Sequence, residues 1–315
     1  MKNFYMVKWG ADFNDNYNYG TDIRFVALDY VHFSSPLMPS GTPIKTWYSR
    51  TEYHVSRKSP MLPLLENGKS YDIQVNAEFD NKEAVQVEIE FFDINNDVIN
   101  KIYFQNLNGQ FTYPDNAMSY KVQLVNKKHQ YMLFKYLTIS DEGLADDCKI
   151  DFIEKLNIIQ IKKNEYMEQT KNEIVVLKNA KYSTSLTLND HTNYFFFLGN
   201  TEESLLLPAA VYVYEQVLHS SHQVLVDILR GPCFNSLPQA YMELPAALNI
   251  LIPTSRLPNI SEKPSERIDQ LKEKNRNNTL AYRVLEQAVE NRKSSYLVKK
   301  ILDTESKNET RSETN

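Results

Sequence analysis

The sequence predicts an α+β protein. An N-terminal antiparallel β-sandwich or jelly roll spans 1–145, a smaller mixed α/β domain spans 150–258, and a charged helix with a disordered tail spans 259–315. Three observations carry this. Apolar and polar residues alternate over Tyr71–Phe79 and again over Val85–Phe91, the period of half-buried antiparallel strands. Beyond Asn189 the alternation gives way to near-continuous apolar runs at Tyr194–Leu198, Gln223–Leu229 and Leu248–Ile252, the texture of strands buried on both faces. Glu266–Leu302 is strongly charged and reads as helix, with Leu280, Val284, Leu285, Ala288 and Val289 forming an apolar stripe.

The elements follow in order. Residues 1–22 are rich in Asn and Tyr, and Ile23–Phe33 reads as one or two short strands. Phe33–Gly68 is unlike the rest. It holds five of the 13 prolines (Pro36, Pro39, Pro43, Pro60 and Pro63) and Trp47, one of two tryptophans. Proline fixes φ and removes a donor, so this stretch is neither a long helix nor a central strand. Leu37, Met38, Ile44, Trp47, Tyr48, Tyr53, Met61, Leu62, Leu64 and Leu65 make it too apolar for a solvated linker. It is expected to lie over a sheet as an ordered crossover, with a short strand near Ile44–Val55.

The strands Tyr71–Phe79 and Val85–Phe91 are joined by a link of hairpin length, Asp80–Ala84. Strands at Val98–Phe104, Phe111–Tyr113, Tyr120–Val125 and Tyr131–Ile139 follow, separated by turns. The acidic run DEGLADDC at 141–148 marks a boundary. Ile150–Thr170 reads as a strand and a helix, and Glu173–Lys178 with Tyr182–Leu188 as two strands of hairpin character. Pro208 is placed as the first residue of a helix ending at Leu218, and Ser236–Leu244 as a short second helix. Strands alternating with helices give a small unit with parallel strands, the alternative being a second β-rich domain.

Composition bounds the function. Charged residues make up 24% and hydrophobic ones 42%, within the globular range. A net charge of −5 argues against an electrostatic hold on nucleic acid, although Lys45, Arg50, Arg57 and Lys58 offer a local basic patch. No window is long and apolar enough for a membrane span, and MKNFYMVKWGADFND lacks a signal-peptide core, so a cytoplasmic protein is expected. The two cysteines, Cys148 and Cys233, form no framework and read as packed or idle thiols.

Reaction chemistry has little support. With eight glycines there is no G-x-G-x-x-G or Walker A loop, and no G-x-S-x-G, H-E-x-x-H or Cys-x-x-Cys occurs. The six histidines are scattered; His219 and His222 straddle a helix end without a third ligand, and Asp190-His191 has no nucleophile beside it. No cofactor or metal is expected. What remains is aromatic: Trp47, Tyr48 and Tyr53 share one proline-braced segment with Arg50 and Arg57. Such a platform can stack a sugar or peptide and pair a carboxylate. Against that stands a core role, the stronger reading for Trp47 and the leucines, with Tyr48, Arg50 and Arg57 the better surface candidates and Leu64 holding the segment down.

The same stretch carries a family resemblance. PLMPSG (Pro36–Gly41), Trp47, the spacing S-x-x-x-Y-x-x-x-R on Ser49, Tyr53 and Arg57, and PMLPLL (Pro60–Leu65) resemble the signature of the third accessory Sec system protein of Gram-positive bacteria. The likeness reaches from Trp9 to about Ile139, including FFD at Phe91–Asp93 and FTYPDNAMSY at Phe111–Tyr120. It implies a fold similar to carbohydrate-binding modules. It also implies a non-catalytic subunit that scaffolds two other accessory Sec proteins and helps deliver serine-rich repeat glycoprotein adhesins to a specialised SecA-type motor, peripheral at the inner face of the membrane. The alternative is a glycan-binding module for polypeptide bearing N-acetylglucosamine. That reading needs an open aromatic platform.

Overall fold

The computed structural model describes residues 1–10, 15–27, 30–52, 54, 59–81, 83–128, 131–153, 156–164, 171–176, 183–197, 203–218, 225–230, 244–245, 247–248 and 251–252. The charged C-terminal span 259–315 lies outside the described residues, as does most of Ser236–Leu244. The chain forms two compact units, one of residues 1–148 and 180–190, the other of 149–179 and 191–315.

In the first unit, β1 (Lys2–Val7), β2 (Asp22–Ala27), β3 (Tyr30–Ser34), β5 (Ser70–Phe79), β8 (Asn108–Thr112), β10 (Tyr131–Asp141) and β14 (Ser183–Leu188) form a seven-stranded antiparallel sheet. β10 is its spine. One edge of β10 pairs β3 through Tyr131–Phe134 and β1 through Leu137–Ser140, while β5 runs along the other. A second antiparallel sheet has the order β4 (Pro43–Tyr48), β9 (Ser119–Asn126), β6 (Val85–Phe92), β7 (Val98–Phe104). Pro43 opens an edge strand, where its missing N–H costs no ladder bond.

Both sheets feed one core. Val85, Val87, Ile89 and Phe91 of β6 meet Tyr71, Ile73 and Val75 of β5 and Phe134 and Leu137 of β10. Trp9, after β1, lies 5.1 Å from the Phe134 ring and 6.2 Å from Trp47.

Alternation located β5 and β6 but not their pairing. The link Asp80–Ala84 is not a hairpin: β5 pairs β10 and β8, whereas β6 pairs β7 and β9, so the link carries the chain from one sheet to the other. β1 went unread in the Asn-rich start, although Phe4 and Met6 alternate with half-buried Asn3 and Tyr5.

The second unit has a mixed five-stranded sheet ordered β11 (Cys148–Ile153), β12 (Ile158–Lys163), β15 (Thr192–Phe197), β13 (Lys171–Val176), β16 (Leu225–Arg230). β13 is parallel to both β15 and β16, and β12 is antiparallel to β15. After the four-residue α1 (Leu144–Asp147), α2 (Glu203–Leu218) connects β15 to β16. Leu206, Leu207, Ala210 and Val213 of α2 pack on Ile158, Ile174, Phe195, Phe197 and Ile228 of one sheet face.

Four expectations are corrected here. Within Ile150–Thr170, read as a strand and a helix, the described residues form two strands, β11 as far as Ile153 and β12, while 154–155 and 165–170 lie outside the described residues. Pro208 lies inside α2 rather than at its start, because Leu206 and Leu207 already bury against the sheet. The described residues of the run Leu248–Ile252 are helical rather than extended, with the Ile252 N–H donating to the Leu248 carbonyl at 2.8 Å. Tyr182–Leu188 does not pair with Glu173–Lys178. Although it lies inside the span 150–258, β14 pairs with β1 from Lys2↔Leu188 to Val7↔Ser183, in the first unit.

Candidate functional site

The proline-rich stretch is fastened at both ends to β9. At the far end of β9, the Asn126 side-chain amide donates to the carbonyls of Met38 (3.0 Å) and Pro39 (3.2 Å). The Gly41 N–H donates to the Asn126 carbonyl at 2.7 Å, and the Asn126 N–H to the Thr42 carbonyl at 2.9 Å. Gly41 has φ of +80°, a conformation that a side chain would strain. These bonds satisfy backbone groups that the neighbouring prolines leave without ladder partners.

At the near end, the Ser49 N–H donates to the Tyr120 carbonyl (3.0 Å) and the Tyr120 N–H to Ser49 Oγ (2.8 Å). The Tyr120 hydroxyl donates to the Pro63 carbonyl at 2.9 Å. The amides of Met61 and Leu62 both donate to the Tyr48 carbonyl, at 3.0 and 3.1 Å, so the loop that leaves β4 after Tyr48 returns to the same residue. Burial pushes the Tyr120 phenol well above the usual tyrosine range, and neighbouring Tyr113, whose ring centroid is 5.6 Å away, adds to this. PLMPSG, PMLPLL and FTYPDNAMSY, far apart in sequence, thus meet on one strand as a single frame.

The predicted site residues divide. Trp47 is 1% exposed, and its indole N–H donates to the Lys8 carbonyl at 2.9 Å. Its ring lies in the core 5.6 Å from Phe134, so it cannot serve as a stacking platform. Tyr48, next along β4, projects to the opposite face and is half-buried, while Arg50 is exposed in the loop. Tyr53, Arg57 and Lys58 lie outside the described residues.

Two further expectations are corrected. Lys45 does not belong to a surface patch: a register shift between Pro43 and Lys45 turns it inward, where it is fully buried with Nζ 5.6 Å from the Trp9 ring centroid. Leu64 does not hold the segment down. It is 84% exposed, and buried Met61 and Leu62 anchor the limb instead. Sequence reasoning missed Asn126 and the Tyr120 clamp; the one signal for the latter was its place in FTYPDNAMSY.

Among the described residues, those with reactive chemistry are not assembled. His191 sits in a turn at φ of 61°, and Asp190 lies 3.6 Å from the terminal amino group of Met1. Asp227 is paired with Lys171 at 2.9 Å, and Lys171 also meets Glu173. Those contacts, Glu173 first, raise the Lys171 pKa. Cys148 is buried, and Cys233, His129, His219 and His222 lie outside the described residues. Among the described residues, no group of His, Cys, Asp and Glu is placed to hold a metal ion, and no helix is long and apolar enough to cross a membrane.

Comparison with known proteins identifies the framed region. A family model described as Accessory Sec secretory system, for the third accessory secretory protein, matches residues 16–141. The corresponding accessory Sec system protein of Streptococcus gordonii is 35% identical over 125 residues, covering 40% of this chain and 79% of that one. Its counterpart in Staphylococcus aureus (strain NCTC 8325 / PS 47) is 24% identical over 180 residues, covering 57% of this chain and about half, 55%, of that one. A crystal structure of accessory secretory proteins 1, 2 and 3 from Streptococcus pneumoniae holds a chain 29% identical, with a TM-score of 0.42, covering 43% of this chain and 94% of that one. The chain therefore belongs to the accessory Sec system family of the third accessory secretory protein.

Proposed function

We propose that this protein is a non-catalytic subunit of an accessory Sec export complex. It scaffolds two other accessory proteins and helps deliver a serine-rich repeat glycoprotein to a SecA-type motor. Family membership supports this, and one observation carries it. The stretch richest in family motifs is spent on a rigid frame around β9, with Tyr48 and Arg50 directed away from the core. A pre-ordered segment presents side chains at little entropic cost on binding. Tyr and Arg are the residue types that most often dominate interface energies. The protein works in the cytoplasm, reaching the inner face of the membrane through the complex, and needs no cofactor.

The experiment is co-purification of the full chain with the other two accessory proteins of its own organism. A stable assembly is expected. Arg50→Ala is expected to weaken it about tenfold or more while melting stays near that of the parent. Failure of the three proteins to assemble sinks the proposal. An early-melting Arg50→Ala variant that still assembles makes the loop scaffold and moves the interface elsewhere.

A further inference from the structure

One end of the first unit collects large apolar side chains that the fold leaves in water. Leu64, Ile94, Val98 and Met118 are each 53–84% exposed. At this end β6 finishes at Phe92, β7 starts at Val98 and β9 starts at Ser119, and register sets these three residues side by side. Met118 precedes Ser119, and its N–H donates to the Phe92 carbonyl at 2.8 Å. Ile94 lies in the turn between β6 and β7. Leu64 joins them because its limb is tied to the same end, through the Pro63 carbonyl to Tyr120 and through the Gly68 N–H to the Tyr113 carbonyl at 2.8 Å.

These side chains sit on fixed backbone. Asp93 Oδ1 accepts from the N–H groups of Asn95 and Asp97 at 2.8 and 2.9 Å, which orders the turn under Ile94. The Asn67 side-chain amide donates to the Asp115 carbonyl, fastening the Leu64 limb to the turn before Met118. A single exposed leucine is ordinary, as Leu37 is at the far end of β9. Four large apolar side chains gathered on one ordered end make a patch of the kind that marks a contact surface. Held ready, they lose little freedom when something covers them.

The charges around the patch select its occupant. Asp93 and Asp97 flank Ile94 in its turn, Glu66 follows two residues after Leu64, and Asp115 lies three before Met118. Such a rim repels anionic lipid and polyanions. It suits a protein surface whose apolar residues are flanked by lysine or arginine. The patch also adjoins the residues argued to govern assembly, since the Ser49 N–H donates to the Tyr120 carbonyl and so brings Arg50 to this end. We propose that Leu64, Ile94, Val98 and Met118 form the apolar centre of the contact with one of the two accessory proteins. That partner meets them with apolar side chains flanked by basic ones, and Arg50 stands at the rim.

The proposal rests on the scaffold reading and deepens it by naming the surface and the chemistry of its partner. The test is the affinity of the full chain for each of the other two accessory proteins of its own organism, measured by biolayer interferometry. Leu64→Ser and Met118→Ser are each expected to weaken binding of one partner about tenfold, with melting near that of the parent because both positions are exposed. Asp97→Asn is expected to weaken it about threefold and to flatten its salt dependence. Leu37→Ser, on an equally exposed leucine at the other end of β9, is expected to change nothing. Parent-like affinity in both patch variants overturns the patch and leaves the scaffold reading standing. A parent that binds neither protein sinks the scaffold reading itself, and the patch with it. Equal weakening by Leu37→Ser overturns the patch, since the contact is then not confined to this end. If the parent alone self-associates, or binds phosphatidylglycerol vesicles, and the patch variants lose only that, the occupant is a second copy or lipid and the proposal fails.

Discussion

The two faces of the four-stranded sheet share the same strands and use them differently. Inward, Trp47, Val85, Val87, Ile89, Phe91, Val122 and Leu124 are almost wholly buried and belong to a core shared with the other sheet. Outward, Glu88, Glu90, Thr46 and Gln123 are also nearly inaccessible, at 7–8% exposed, yet each is polar and bonded to a side chain on the next strand, Gln123 to Thr46 and both glutamates to Lys101. Low accessibility therefore has two meanings in one sheet. On the inner face, removal from water is the source of stability. On the outer face, ionised groups shield one another, and their value lies in fixed geometry more than in net stabilisation. The electrostatics agree: the Glu88 and then the Glu90 carboxylate raise the Lys101 ammonium above the usual lysine range.

Substitutions on the inner face should be the most costly. Trp47→Ala deletes a buried ring packed on Trp9 and Phe134 and is expected to cost about 3–5 kcal/mol, read as a lowered denaturation midpoint. A variant melting like the parent would show that the inner face is not what holds the stretch. Asn126→Ala leaves the carbonyls of Met38 and Pro39 without their donor and should cost about 1–3 kcal/mol, with faster proteolysis at Pro36–Gly41 as the local signature.

Tyr120→Phe sharpens the comparison through pH. It loses one hydrogen bond, about 1 kcal/mol at neutral pH. Its phenol pKa is raised on folding, so the unfolded chain releases the proton near 10.0 while the folded chain keeps it. The stability this contributes is complete below pH 10.0 and is lost as pH rises through the folded-state value. The parent should thus weaken in alkali, and Tyr120→Phe should weaken less steeply, measured as midpoint against pH. Buried Tyr71 and partly buried Tyr5 are raised in the same direction, so the slope should diminish without vanishing. Arg50→Ala is the smallest change, expected within about 0.5 kcal/mol of the parent in melting, with its effect confined to assembly.

Much of this was legible in the sequence, and the gaps have physical causes. Period-two alternation reports that a strand has a wet and a dry side; it is blind to which sheet the strand joins, so β5 and β6 were found and mispaired. Hydropathy assigned Leu64 to the interior along with Leu62 and Leu65. It could not see that a clamped Pro63 carbonyl aims the next side chain outward. Lys45 escaped because a register shift inverts the inward-outward order within β4. The run Leu248–Ile252 is short and apolar, and such runs do not distinguish strand from helix. Trp47 was legible in one of its two readings, and burial favours the core. The outward ion pairs of Glu88 and Glu90 with Lys101 and of Glu90 with Lys121 were not legible at all, since they lie in cross-strand register that no single segment contains.

The excursion of β14 has a consequence for how the molecule can be cut. The chain leaves the first unit after 148, returns for 180–190, and leaves again, so each unit is built from two separate lengths of chain. Neither can be excised as one continuous piece. A chain stopped at Lys149 would keep every other strand of the seven-stranded sheet but leave the outer edge of β1, from Lys2 to Val7, with its N–H and C=O groups unpaired. Such an edge invites a second copy. The shortened protein should therefore retain β-type circular dichroism and yet self-associate in sedimentation. Supplying the peptide 183–188 in trans should return it to monomer.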